Sequence, residues 1–360
     1  MKPLRAWVQL VLLLSVCLPA AGYAEEDGSS AAAAKIRAEL GPLFPGDGEV
    51  GTAPDRAGPE VTRYLRRYGL EFPESWRHRL GVFTSTRYTL AGQIVEPPNA
   101  RGTVLLLHGL FDHTGTLAFA LRHFASGGYT VAAFDLPGHG LSSGTRASVG
   151  SFEHYDRALD TFIANLHGDV PTPIHAVAHS TGAAIVATRL LERPDRTFDR
   201  VALIAPLVHS AHWEVSTRAA RALGRFVEDV PRVYRDNTSD EAFAARVRDD
   251  PLQARKASLE WVEALVRWNE RIEALPPSDR ALLIVQGDSD SVVDWEFNLP
   301  FLREKFPRAR VVMVPGGRHQ LLGERHELKR QVMQAIDEEL TGHAATAREG
   351  NGNARIAPKS

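Results

Sequence analysis

Ile174-His175-Ala176-Val177-Ala178-His179-Ser180-Thr181-Gly182-Ala183-Ala184 runs from a short apolar segment, through a serine, into residues that suit a helix. A strand that turns this abruptly into a helix has no room for large side chains two positions before and after the turn residue. Here those positions hold Ala178 and Gly182, and the turn would lift the Ser180 hydroxyl above a sheet edge. The plainer reading is a serine capping an ordinary helix. The surrounding sequence has to decide between the two.

Outward from this point, apolar runs of strand length alternate with helix-length segments. Val82 to Val95 reads as a pair of strands ending at Pro97-Pro98. Runs at 103–107, 129–134, 174–178, 201–205, 281–285 and 310–314 are nearly continuous, as strands buried on both faces should be. Helical segments are expected at 116–126, 151–166, 181–192, 300–305 and 324–340. The fold class is therefore α/β, a mostly parallel central sheet with helices on both faces. From Val208 to Ser278 the alternation stops and only helix-like stretches remain, near 216–226, 240–247 and 258–275. Connections in such folds usually take about 2–6 residues, so this interval reads as an inserted helical cap.

The chain of 360 residues carries 42 basic and 44 acidic side chains, with 44% hydrophobic residues. That is ordinary globular composition, and it gives no electrostatic reason to expect a nucleic-acid partner. Lys2, Arg5, the apolar run 6–18 and the small residues up to Ala24 read as a secretory leader cleaved after Ala24. The run falls short of the roughly 20 residues that span a bilayer. Cleavage would remove Cys17, the only cysteine, and leave no thiol chemistry. Only 6 of the basic residues are lysine, which fits a GC-rich bacterial genome and makes the periplasm or the exterior the expected destination. The expected organisation is a leader over 1–24, a linker over 25–59 with a short helix at 31–40, and a core over 60–207 and 279–340. The cap fills 208–278 and a disordered tail 341–360.

A serine becomes a nucleophile when an imidazole takes its proton and a carboxylate orients that imidazole. In elbow-bearing folds the chain order is serine, acid, then histidine. The run 281–285 leads into Gln286-Gly287-Asp288-Ser289-Asp290, and the run 310–314 into Pro315-Gly316-Gly317-Arg318-His319. Asp288, Asp290 and Asp294 compete for the acid, although Asp288 can complete a turn and Asp294 can cap the next helix. His326 falls on a helix and His343 in the tail, which leaves His319 as the base. His108 and His179 read as structural. Oxyanion donors are expected from the backbone of Thr181, at the helix start, and of Leu110, in the loop opened by Gly109.

The stretches His108-Gly109-Leu110-Phe111-Asp112-His113 and Asp135-Leu136-Pro137-Gly138-His139-Gly140-Leu141-Ser142-Ser143-Gly144 complete a pattern. With Arg146 and Ser151-Phe152 downstream, the chain resembles the α/β-hydrolase superfamily over about residues 79–340. Within it, the resemblance is to the monoacylglycerol lipase and lysophospholipase branch, grouped with the S33-type serine aminopeptidases. The resemblance implies catalysis by Ser180, Asp290 and His319, favouring Asp290 through the spacing Gly287 to Asp290. It also implies oxyanion donors at Leu110 and Thr181, a cap, and no metal or cofactor. Ala178 and Ala183 depart from the glycines usual in that branch.

The expected activity is acyl transfer from a lipid or small carboxylic ester to water through an acyl-enzyme on Ser180, with transient membrane-surface contact through the cap. An aminopeptidase would need a cap carboxylate for its substrate's amine, and Glu228, Asp229, Asp236, Asp240 and Glu241 are available. An acyltransferase and a non-catalytic binding protein also share this fold. Trp213, Trp261 and Trp268 could line an acyl pocket, though the seven-residue spacing of the last two equally suits the cap's own core. The sequence carries no signal for oligomeric state.

Overall fold

Apolar strands buried on both faces need a helix layer on each side, and the chain supplies both. The structure, a computed structural model, describes residues 28–44, 57–193, 195–223 and 227–342. Eight strands form one sheet: β1 (Arg77–Ser85), β2 (Tyr88–Glu96), β3 (Thr103–Leu107), β4 (Thr130–Phe134), β5 (Ile174–His179), β6 (Val201–Ile204), β9 (Leu283–Gly287) and β10 (Arg310–Val314). Their spatial order is β1-β2-β4-β3-β5-β6-β9-β10. β1 and β2 form an antiparallel hairpin, β2 pairs antiparallel with β4, and every later pairing is parallel.

Alternation along each strand divides the core. Leu105 and Leu107 face Phe162, Ile185 and Trp268, while Val104 and Leu106 face Leu121, Phe124, Val332 and Ile336. Chain order reverses at β3, because β4 lies on one side of it and β5 on the other. Open α/β sheets bind ligands at such a reversal, outside the carboxyl ends of the strands. The loops after β3 and β5 meet there.

Between β6 and β9 lie helices Trp213–Leu223, Glu241–Arg248 and Leu259–Ala274. This interval also contains β7 (Asp229–Pro231) and β8 (Lys256–Ser258), paired antiparallel, where only helices were expected. Each strand is three residues long, too short to show alternation in sequence. Trp261 and Trp268 are buried against Phe152, and Trp268 Nε1 donates to Thr188 Oγ1 at 2.8 Å. They fasten the cap to the sheet domain, whereas Trp213 stacks on His209.

The linker expected over 25–59 is corrected where it is described. A helix spans Gly28–Arg37, and the backbone of Gly41 and Leu43 bonds to Val82 of β1. Leu43 is fully buried, and Phe44 packs edge-on against Phe83 and Phe162. Glu39 accepts from the N–H groups of Glu60 and Val61, capping the helix Pro59–Tyr68. Reading this stretch by its glycines and prolines passed over these apolar anchors.

The helix expected at 300–305 begins earlier, at Trp295, with Asp294 capping it through Phe297 N–H. Pro300 stands inside that helix rather than opening it, in the second turn, where the missing N–H costs a single ladder bond. The leader over 1–24 lies outside the described residues, as does the tail from 343. No described helix is long and apolar enough to cross a membrane.

Candidate active site

β5 ends at His179 and a helix starts at Thr181, so Ser180 must reverse the chain within one residue. It does so at φ 51 and ψ −113, a conformation L-residues rarely adopt. Neighbouring glycines make the tight approach possible. A Cβ on Gly182 would lie 2.7 Å from the His108 carbonyl oxygen, and one on Gly109 would lie 2.8 Å from Ser180 Cβ. The Ser180 N–H donates to the Ile204 carbonyl at 2.9 Å, which fixes the elbow to β6.

Three side chains from three turns converge here. Ser180 Oγ lies 3.0 Å from His319 Nε2, and His319 Nδ1 lies 2.8 Å from Asp290 Oδ2. Asp290 Oδ1 accepts from the N–H groups of Val292 and Val293, and Oδ2 also accepts from Gln286 Nε2 at 3.0 Å. Burial would raise the Asp290 pKa. The His319 imidazole, the Val292 N–H and the Gln286 amide outweigh that and hold the carboxyl below its ordinary value. An ionised Asp290 keeps the His319 proton on Nδ1, which leaves Nε2 free to accept from Ser180. Asp288 instead accepts from Gly316 N–H.

Thr181 follows Ser180 and opens the helix Thr181–Glu192, and Leu110 follows Gly109, where an added Cβ would lie 2.8 Å from Ser180 Cβ. The first N–H groups of a helix have no partner within it, and the helix dipole adds positive potential at that end. Such donors suit an oxygen that gains negative charge.

His108 has a structural place: its Nε2 accepts from Leu136 N–H and its Nδ1 donates to the Gly109 carbonyl. Two further contributors carried no motif. Gln286 is a fully buried polar residue in an otherwise apolar strand, and that position was its only signal. His179 Nε2 donates to the His319 carbonyl at 3.0 Å, holding the base from behind. The cap grips the same turn. Glu324, fully buried, accepts from the N–H groups of both Arg318 and Ser239, and Gln320 N–H donates to Asn237 O at 2.8 Å.

Burial brings both His78 and His179 down to about 4. Unfolded, each would titrate near 6.5. Between those values the unfolded chain binds more protons, so stability falls as pH drops through that window. Asp156, pushed up to about 6 by burial, and His113, whose burial is outweighed by Asp250 and other carboxylates so that its pKa rises, work the other way. Burial also lowers His108, His139 and His175, which side with His78 and His179. Urea titrations are expected to show a lower unfolding midpoint at pH 5 than at pH 7. An equal or higher midpoint at pH 5 would contradict this account.

A model of the family described as serine aminopeptidase, S33, matches residues 98–326, which include all three converging side chains. The chain belongs to this family. It is 24% identical to a monoglyceride lipase homolog from Monkeypox virus, over 66% of this chain and 88% of the other. It is 26% identical to monoglyceride lipase from Homo sapiens, over 69% and 84%. A solved structure of a soluble variant of monoglyceride lipase from Saccharomyces cerevisiae, in complex with a substrate analog, superposes with a TM-score of 0.64 at 19% identity. It covers 74% of this chain and 97% of that one. The likeness establishes the α/β-hydrolase fold, and S33 membership makes the chain a hydrolase of that superfamily.

Proposed function

We propose that this protein is a serine hydrolase that cleaves a carboxylic ester of a lipid or small acyl alcohol. The observation that carries the reading is the unbroken contact from Ser180 Oγ through His319 to Asp290 Oδ2, at 3.0 and 2.8 Å, built around a serine with positive φ. Ser180 Oγ attacks the ester carbonyl while His319 Nε2 takes its proton. Asp290 stabilises the imidazolium, and the N–H groups of Leu110 and Thr181 hold the oxyanion. His319 then protonates the departing alcohol. Water, deprotonated in turn by His319, releases the acid and restores Ser180.

An ester is favoured over an aminoacyl amide on two grounds. The relatives named above are called monoglyceride lipases. Two of the five cap acids that could hold a free amine are also engaged: Asp240 caps a helix and Asp236 pairs with Arg318. Exposed Val227, Val233 and Tyr234 on the cap support transient contact with a lipid surface. The place of action proposed from residues 1–24 is the periplasm or beyond.

Nitrophenyl esters of increasing chain length, run against aminoacyl anilides, test the class. Ester cleavage, together with fluorophosphonate labelling that vanishes in Ser180→Ala, is the expected result. Cleavage of the anilides alone would make the protein an aminopeptidase. A folded wild type that fails to label would make it a binding protein.

A further inference from the structure

The central sheet has two edges, and the chain treats them differently. Beside β1, the backbone of Gly41 and Leu43 bonds to Val82 and covers the strand near its middle. β10 (Arg310–Val314) ends the strand order on the other side, and among the described residues no further strand pairs with it. An unpaired edge presents a row of N–H and C=O groups that can template another strand. Arg310 N–H donates to the Leu282 carbonyl at 2.9 Å, and the Val314 carbonyl accepts from Asp288 N–H at 3.4 Å, so Arg310, Val312 and Val314 address β9. In a parallel ladder the residues between them, Val311 and Met313, turn their backbone groups to the open side.

The side chains of Val311 and Met313 share one face of the sheet. Val311 is half-buried against the cluster that holds Leu299 and Leu302, whereas Met313 is 38% exposed. Edges that must stay single carry a charge at such a place, and this one carries a methionine. Charge lies instead at the two ends, with opposite sign. Arg308 precedes the strand at its amino end. Asp288 stands at the carboxyl end, where it accepts from Gly316 N–H at 2.8 Å. Both are exposed, and neither is in an ion pair among the described residues. Arg310, between them, is already met by Glu339 at 3.5 Å.

We propose that a second copy of this chain adds its β10 antiparallel to this one, across a twofold axis through Val312, and joins the two sheets into one. In this register Val311 of each copy opposes Met313 of the other. Each such pair exchanges two N–H···O bonds through the groups that face outward. The exposed Met313 side chain is then covered by Val311 of the other copy. Arg308 comes opposite Gly316 of the other copy and so meets its Asp288, and the twofold axis makes this contact twice. A parallel pairing would set Arg308 against Arg308 and Asp288 against Asp288, so charge selects the antiparallel one. Pro307 and Pro315 bracket the strand and keep the ladder short. The helices Trp295–Lys305 and His326–Thr341 flank the strand on its two faces and widen the contact toward the roughly 1,000 Å² that a specific interface needs.

Sedimentation velocity of the full-length protein over a dilution series is the test. Wild type is expected to sediment as a dimer that dissociates on dilution. Met313→Lys, at a position already exposed, should raise the dissociation constant by about tenfold or more. Arg308→Asp and Asp288→Arg each set like charges together at both contacts, and each should be monomeric. Mixed one to one, the two variants should recover a dimer, because every contact then joins opposite charges. A wild type that is monomeric at every concentration overturns the proposal. So does a dimer indifferent to Met313→Lys or to Arg308→Asp, or a pair of folded variants that stay monomeric when mixed. A monomer that dimerises once residues 343–360 are deleted would make the chain's own end the occupant of the edge, which also overturns it. Circular dichroism checks each fold. If Asp288→Arg does not fold, wild type, Met313→Lys and Arg308→Asp still decide.

Discussion

Ser180→Ala is expected to give a folded protein whose kcat on a nitrophenyl ester is lower by about 10⁴-fold or more. The size follows from what the alanine leaves in place. The N–H donors of Leu110 and Thr181, the His319–Asp290 contact and the substrate pocket all survive, and they supply residual acceleration over water. What disappears is the covalent route. Asp290→Asn should fall by a comparable factor for a different reason. The amide can turn its NH₂ toward His319 Nδ1 and leave the ring proton on Nε2, where the Ser180 proton must arrive. Stopped-flow kinetics separate the two variants. Asp290→Asn should still show slow acylation and label with a fluorophosphonate over hours, while Ser180→Ala should never label. A Ser180→Ala protein with more than a hundredth of wild-type kcat would show that another nucleophile is at work.

The residues that converge were legible because each stands just after an apolar run. Strands buried on both faces announce themselves as unbroken Val, Ile, Leu and Ala, and the polar residue that ends such a run sits at the carboxyl edge of the sheet. Ser180, Asp290 and His319 all occupy that place, which is why spacing and chain order nominated Ser180 and His319, with three carboxylates for the acid among which the family resemblance favoured Asp290. Asp288 and Asp294 compete with Asp290 in the sequence, and the structure gives them the turn and cap roles expected: one accepts from Gly316 N–H, the other caps a helix.

What was not legible depends on long-range neighbours. Leu43 and Phe44 look like part of a Gly/Pro linker until β1 is present to receive them. Arg232 looks like any cap arginine until Phe111 and Gln253 surround it. Charged residues in a helical insertion give no periodic signal that separates a solvated face from a buried contact. Burial arises only when the insertion folds back on the sheet domain.

Asp250→Ala is expected to destabilise the protein by about 3–5 kcal/mol, the cost of breaking a buried charge pair by removing one partner. Asp250 follows the cap helix Glu241–Arg248, His113 ends the oxyanion loop, and Tyr68 ends the helix Pro59–Tyr68. One carboxylate ties all three together: Oδ2 lies 3.0 Å from His113 Nε2, and Oδ1 accepts from the Tyr68 hydroxyl at 2.6 Å and from Leu252 N–H at 2.8 Å. The side chains of His113 and Asp250 are only 1% and 3% exposed, so water cannot replace the lost partner.

Burial would raise the Asp250 pKa, but His113 and the two hydrogen-bond donors outweigh it and hold the carboxyl below its ordinary value. The contribution of Asp250 is therefore complete above the unfolded carboxyl pKa and is lost as pH falls toward the folded one. Urea unfolding of wild type and Asp250→Ala should accordingly differ most near neutral pH and converge on strong acidification. Because the same bonds steady the loop that carries Leu110, the variant should also lose kcat at a temperature where it is still folded. Phe243, which lies on the same cap helix with its ring against Gly323, provides the control. A Phe243→Leu protein that matches Asp250→Ala in both stability and kcat would show that cap packing in general, and not this carboxylate, holds the loop in place.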